Sequence, residues 1–314
     1  MRALNSDEIY GNWATLLLPL NADDGIDYPA LEEEIEILIS MKVNGIYSNG
    51  TAGEFYNQTE AEFDRVSQLL AEKCNAAGMP FQIGCAHTSP LQALERVRRV
   101  VSLKPSAVQV ILPDWFPLQM TEIIDYLEVM AREAAPVGLV LYNPPHAKKK
   151  LSPEEFGMLR QAGIPLVGCK VAGGSGQWYQ AMKEQTPGLS IFVPGHHLAT
   201  GFSQGASGAY SNVACLHPGM AQRWYESMRT NIGSALELEQ RIQQFMEHCI
   251  VPYIQVVGYS NQAVDKFMAA VGGWTRMSPR LRWPYRWVPE EEIAAVRKYA
   301  SQLLPEFFPT QIHV

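Results

Sequence analysis

The stretch GLVLYNPPHAKKKLSPEEFGMLRQAGIPLVGCKVAGG (138–174) holds one complete structural unit. Gly138–Tyr142 and Leu166–Lys170 are short apolar runs rich in β-forming residues, and a helical segment lies between them. Ser152-Pro153-Glu154-Glu155 marks that helix's start, with a capping residue, proline at the first helical position and acids in the first turn. Strand, helix and strand in this order predict a parallel pair, because two parallel strands need a crossover connection.

The same unit repeats outward in both directions. Further strand-like runs stand at Trp13–Leu18, Gly45–Ser48, Phe81–Cys85, Ala107–Leu112, Ser190–Val193 and Gly208–Ser211, which makes eight. Segments such as LEEEIEILISMK (31–42) and EAEFDRVSQLLAEK (60–73) carry helical periodicity between them. Eight alternating units predict an α/β fold with a closed parallel sheet, the (β/α)₈ or TIM barrel. The barrel is expected over residues 1–218. From 219 to 314 the chain reads as helices (AQRWYESMRTN, ALELEQRIQQFMEHC, QAVDKFMAAVG, PEEEIAAVRKYASQLL), with one short strand-like run at Ile250–Val257. This C-terminal helical region is expected to pack on the barrel as an appendage.

Composition narrows the function classes. In 314 residues, 47% are hydrophobic and 18% charged, which excludes a disordered, collagen-like or coiled-coil architecture. The net charge of −7 lacks the cationic surplus that nucleic-acid binding requires. WTRMSPRLRWPYRW (274–287) mixes arginine with tryptophan, but in an acidic chain it reads as a proline-broken loop. No apolar run approaches membrane-spanning length, and the first residues contain no apolar signal core, so no membrane association is expected. Five cysteines without ligand or framework spacing argue against a disulfide scaffold and a zinc site, and make a reducing, cytoplasmic setting the expectation.

In such barrels the chemistry sits where strands end. Strand two runs into Asn49-Gly50-Thr51-Ala52-Gly53-Glu54, strand five ends at Tyr142, strand six at Lys170, strand seven at Gly195-His196-His197 and strand eight at Ser211-Asn212. Lys170 ends an apolar strand, and desolvation there is expected to lower its pKa until the neutral amine attacks a ketone to form a Schiff base. A lysine that snorkels to the rim fits the same context. Tyr142 reads as a proton shuttle or as an aromatic plug. Gly50-Thr51-Ala52-Gly53 is a turn whose N–H groups are able to form an anion nest. His196 and His197 read as acid/base groups or substrate contacts, without metal-ligand spacing. Lys148–Lys150 is a solvated charge run or an anion attractor. Cys169 reads as a small buried hydrophobe.

Taken together, GTAGE (50–54), YNPP (142–145) and GCK (168–170) resemble, in order and spacing, the motifs of the dihydrodipicolinate synthase / N-acetylneuraminate lyase family of pyruvate-type class I aldolases. Gly195 and GASGAYSN (205–212) are similar to further family segments, and the resemblance covers nearly the whole chain. It implies Lys170 as the Schiff-base residue, Tyr142 as the general acid/base and Thr51 as the hydroxyl that positions it. The N–H groups of Gly50, Thr51 and Ala52, with Gly195, His197 and Ser211, would then contact a small 2-oxo acid substrate. No organic cofactor and no metal is implied, because the lysine itself supplies the electron sink. A homo-oligomer, tetramer or dimer, is implied too.

Several positions depart from the family pattern. Ala52 replaces a threonine, Trp115 stands at the relay tyrosine's place, Ala147 replaces a substrate-binding arginine, and His197-Leu198 replaces an acidic pair. An indole donates a hydrogen bond but cannot pass a proton on, so the relay is expected to end at water or Asp114. Neither founding activity fits these residues. A lyase, aldolase or dehydratase, acting on pyruvate or a 2-keto-3-deoxy sugar acid fits better. The other reading is a non-catalytic barrel that binds a small carboxylic acid as sensor or scaffold.

Overall fold

The computed structural model describes residues 1–308. Eight strands, β1 (Gly11–Thr15), β2 (Gly45–Ser48), β3 (Phe81–Gly84), β4 (Ala107–Ile111), β5 (Leu139–Tyr142), β6 (Leu166–Lys170), β7 (Ser190–Val193) and β8 (Gly208–Tyr210), pair in chain order. Every pair is parallel, and β8 closes on β1 through Gly11↔Gly208 and Trp13↔Tyr210. The protein is a TIM barrel.

The outer layer consists of α1 (Tyr28–Ser40), α2 (Glu60–Ala77), α3 (Pro90–Val100), α4 (Met120–Ala134), α5 (Pro153–Gln161), α6 (Gly176–Gln185) and α7 (Leu198–Gln204). The cap at Ser152 forms as its sequence predicts: its hydroxyl accepts the Glu155 N–H, and Glu155 accepts the Ser152 N–H. Thr59 and Glu62 make the same reciprocal cap on α2.

Side chains alternate across each strand, so one set fills the barrel and the other packs under the helices. The inner set includes Trp13, Tyr47, Val140, Phe192 and Tyr210, all buried. Tyr210 packs at a tilt against Phe192 and meets Tyr47 edge-on at 4.8 Å between centroids, and its hydroxyl donates to Gln82 at 2.6 Å. This aromatic layer is the floor on which the strand-end residues stand.

After β8 come α8 (Val213–Leu216), α9 (Pro218–Met228), α10 (Ile232–Phe245), α11 (Asn261–Gly272) and α12 (Glu292–Leu303). Two expectations need correction. The Ile250–Val257 run is not extended: Met246–Ile250 and Tyr253–Val257 are π-helical turns that carry α10 toward α11. The first strand ends at Thr15; Leu16 still donates its N–H to the Tyr47 carbonyl at 2.8 Å, and Leu17 and Leu18 continue as buried chain beyond the ladder. Hydrophobicity records burial there, not pairing. No helix among the described residues is long and apolar enough to cross a membrane.

Candidate active site

Strands β5 and β6 are neighbours in register, and Tyr142 lies opposite Lys170. Both therefore project from the carboxyl end of the sheet into the barrel mouth, and the Asn143 N–H donates to the Lys170 carbonyl at 2.9 Å to hold the two ends level. The Lys170 Nζ lies 4.3 Å from the Tyr142 ring centroid, 5.2 Å from Tyr47 and 5.5 Å from Tyr210. Three aromatic faces thus surround one ammonium.

That box reverses the expectation for the lysine. Burial works against the ammonium, but Tyr47, Tyr142 and Asp265 favour it more, and the pKa is held above its ordinary value. Ring faces attract a cation by roughly 0.5–2 kcal/mol each, a contribution that an apolar strand end does not reveal. Lys170 attacks a carbonyl only as the free amine, so any proton it carries must first pass to a neighbour.

Thr51 comes from the turn after β2. Its hydroxyl makes a long contact, 3.5 Å, with the Tyr142 hydroxyl. Asn49 and Glu54 flank this turn in left-handed conformation, at φ 55° and 53°. Asn49 is pinned through Ser67 and Gln58, and Glu54 through Lys266. Among the described residues, no acceptor takes the N–H of Thr51 or Ala52, which leaves two backbone donors free beside the lysine.

These groups share one cavity of about 570 Å³, which Thr51, Ala52, Tyr142, Lys170, His197 and Ser211 all line. Gly50 and Gly195 stand behind its wall, where they allow close packing. A Cβ on Gly50 would sit 2.7 Å from the Tyr47 ring, and one on Gly195 would sit 2.4 Å from the Ser211 Oγ. His197 is exposed at the rim, near the Gln243 amide. His196 is more enclosed, pairs with Asn212, and is lowered to about 4 by burial and by His197, so its ring is neutral. Cys169 is fully buried with its thiol pushed up to about 12, as suits an inert hydrophobe.

Several loop residues stay outside the cavity. Lys149 pairs with Glu155, and Lys148 reaches the Trp115 carbonyl and ring, so neither lysine is aimed at a substrate. Asp114 accepts the Lys148 N–H at 2.8 Å. Trp115 is 76% exposed and does not touch the cavity. Among the described residues, no cluster of three or more His, Cys, Asp or Glu side chains has the arrangement of a metal site.

Sequence reasoning missed Tyr47, Tyr210, His146 and Asp265, all of which line the cavity. The tyrosines carry a signal, since each is an aromatic at an inward-facing strand position. Asp265 carries none, because it arrives from α11, far along the chain.

Comparison with known proteins identifies the family. The profile of the dihydrodipicolinate synthetase family matches residues 9–303. The chain belongs to that family. A DapA-like lyase of Thermococcus onnurineus, itself uncharacterized, is 31% identical over 137 residues, 44% of this chain and 46% of that protein. The N-acetylneuraminate lyase of Escherichia coli is 23% identical over 302 residues, covering 94% and 97% of the two chains. Among solved structures, YagE of E. coli K12, a prophage protein of the dihydrodipicolinic acid synthase family crystallised with pyruvate, superposes with a TM-score of 0.82. It covers 94% of this chain and 98% of its own at 20% identity, a likeness of fold.

Proposed function

We propose that the protein is a Schiff-base-forming lyase acting on a 2-oxo acid such as pyruvate or a 2-keto-3-deoxy sugar acid, by aldol cleavage or by dehydration. The observation that carries this reading is the juxtaposition of Lys170, Tyr142 and Thr51 in one cavity, with the lysine 4.3 Å from the tyrosine ring. The pyruvate in YagE, a protein of the same fold and family, supports the substrate class.

The chemistry follows from the positions. The free N–H groups of Thr51 and Ala52 receive the carboxylate, which brings the adjacent ketone carbon toward the lysine. Once Lys170 has lost its proton, its nitrogen attacks that carbon, and loss of water leaves an iminium. Tyr142 is placed to move protons between nitrogen, leaving water and the carbon next to the iminium, with Thr51 fixing its hydroxyl. In cleavage the cationic nitrogen accepts the electron pair of the C3–C4 bond; in dehydration it accepts the pair of the C3–H bond, and the C4–O pair leaves with water.

The substrate's far end meets no arginine among the cavity residues. His146, His196, Asn212 and Gln243 line the cavity with Met246 and Ile254, a setting that suits hydroxyl groups better than a second carboxylate. The five free thiols fit a reducing compartment such as the cytoplasm. We also infer a homo-oligomer, dimer or tetramer, since the adjacent aromatics Trp115 and Phe116 are 76% and 77% exposed.

Product analysis tests the reading. With a panel of 2-oxo acids, the native chain should release pyruvate plus an aldehyde, or a dehydrated 2-oxo acid, and Lys170→Ala should do neither. Ligand binding without turnover, undiminished in Lys170→Ala, would instead mark a binding protein.

A further inference from the structure

Two carboxyl groups line the cavity. Glu247 is exposed at the rim, while Asp265 lies inside it. Asp265 belongs to α11, whose Asn261 and Val264 also line the cavity, so one face of this helix closes the barrel mouth. The rotation of α11 is fixed by the next residue. Lys266 turns the other way and donates to Glu54 at 2.9 Å and to the Arg280 carbonyl at 2.6 Å.

Asp265 is electrostatically coupled to Lys170, yet among the described residues it makes no side-chain hydrogen bond and no ion pair. A carboxyl group enclosed in this way has its hydrogen-bonding capacity open toward the cavity. Burial raises it to about 7, against the pull of the Lys170 ammonium, so both of its protonation states are accessible near neutral pH. Two of the other polar groups in the cavity are engaged: the Tyr210 hydroxyl donates to Gln82, and His196 is paired with Asn212.

Resting on the Schiff-base reading of the site, we infer that Asp265 is a further acid/base residue, which handles the proton on the substrate hydroxyl two carbons from the imine carbon. Tyr142, beside the lysine on β5, serves the imine and its adjacent carbon; Asp265, from α11, serves C4 of the bound acid. In cleavage, the Asp265 carboxylate takes the proton of the C4 hydroxyl. The O–H electrons form the C4 carbonyl, the C3–C4 bond breaks, and its electron pair forms an enamine with the iminium. In dehydration, Tyr142 first takes a C3 proton to give the enamine. The Asp265 carboxylic acid then protonates the C4 hydroxyl, the C4–O bond breaks, and the enamine electrons form the C3–C4 double bond as water leaves.

Asp265→Asn separates the two acid/base groups, because it keeps the side chain's size while removing its proton chemistry. Imine formation is read by borohydride trapping of pyruvate on Lys170, and turnover by product release from 4-hydroxy-2-oxo acids. In Asp265→Asn, trapping should stay within about twofold of the native chain while kcat falls by about 100-fold or more. In Asp265→Ala, added formate should restore part of the lost turnover. Turnover in Asp265→Asn within about twofold of native, or trapping and turnover lost together, would overturn the role. Absence of any adduct in the native chain would instead overturn the Schiff-base reading itself, and this inference with it.

Discussion

The ammonium of Lys266 on α11 donates to the carboxylate of Glu54 in the turn after β2 at 2.9 Å, and both side chains are withdrawn from solvent, at 0% and 1% exposure. One ion pair therefore joins the C-terminal helices to the turn that carries Thr51 and Ala52. Burial lowers the Lys266 pKa, and Glu54 opposes that fall. Removing one partner of such a pair strands a charge in the core and costs about 3–5 kcal/mol, whereas an apolar pair of similar volume is often neutral. Lys266→Met should lose about that much in urea unfolding, and Glu54→Leu combined with Lys266→Met should recover most of it.

Glu34 sits beneath the same region, fully buried, accepting the Leu17 N–H at 2.9 Å. Its other carboxyl oxygen has no partner, and burial raises its pKa to about 8. An acid raised in the folded state holds its proton more tightly there than in the unfolded chain. Its contribution is complete below the ordinary value of 4.5 and is lost as pH rises through about 8. Glu34→Gln cannot ionise. Its stability relative to the native chain should rise from about pH 5 to about pH 8.5 by more than about 1 kcal/mol, the equivalent of one pKa unit. Denaturant melts at the two pH values check this.

Tyr142 and Thr51 should not be equally costly to lose. Tyr142→Phe removes the proton shuttle and should lower turnover by about 10²–10⁴-fold. Thr51→Val removes only the long 3.5 Å contact. About 1 kcal/mol, roughly fivefold in turnover, is the expected loss. Steady-state kinetics on one substrate compare the two directly.

Trp115 and Phe116 lie outside the cavity, so a change there tests assembly without touching the catalytic groups. Trp115→Glu should shift the chain to a smaller species in sedimentation velocity while pyruvate trapping on Lys170 persists.

The barrel was legible because each strand announced itself locally, by a short apolar run bounded by glycine, proline or a helix cap. The pairing of Tyr142 with Lys170 followed from it, since consecutive strands of a barrel are neighbours. The pKa of Lys170 was not legible in the same way. Its direction depends on burial opposed by Tyr47 from β2, Tyr142 from β5 and Asp265 from α11 converging on one nitrogen, and no local pattern encodes that meeting. Asp265 was hidden for a related reason. Its segment reads as an amphipathic helix, but periodicity does not say which part of the barrel the helix closes. The short run at Ile250–Val257 misled because a cluster of β-branched residues reads as a strand, whereas here Val256 and Val257 sit exposed on a π-helical turn.

The central claim is that Lys170 forms an imine with a 2-oxo acid. Pyruvate and borohydride together should leave a reduced adduct that peptide mass spectrometry places on Lys170, with none in Lys170→Ala. An unmodified Lys170 after treatment with pyruvate and the wider set of 2-oxo acids, or an adduct confined to surface lysines such as Lys148, would contradict it.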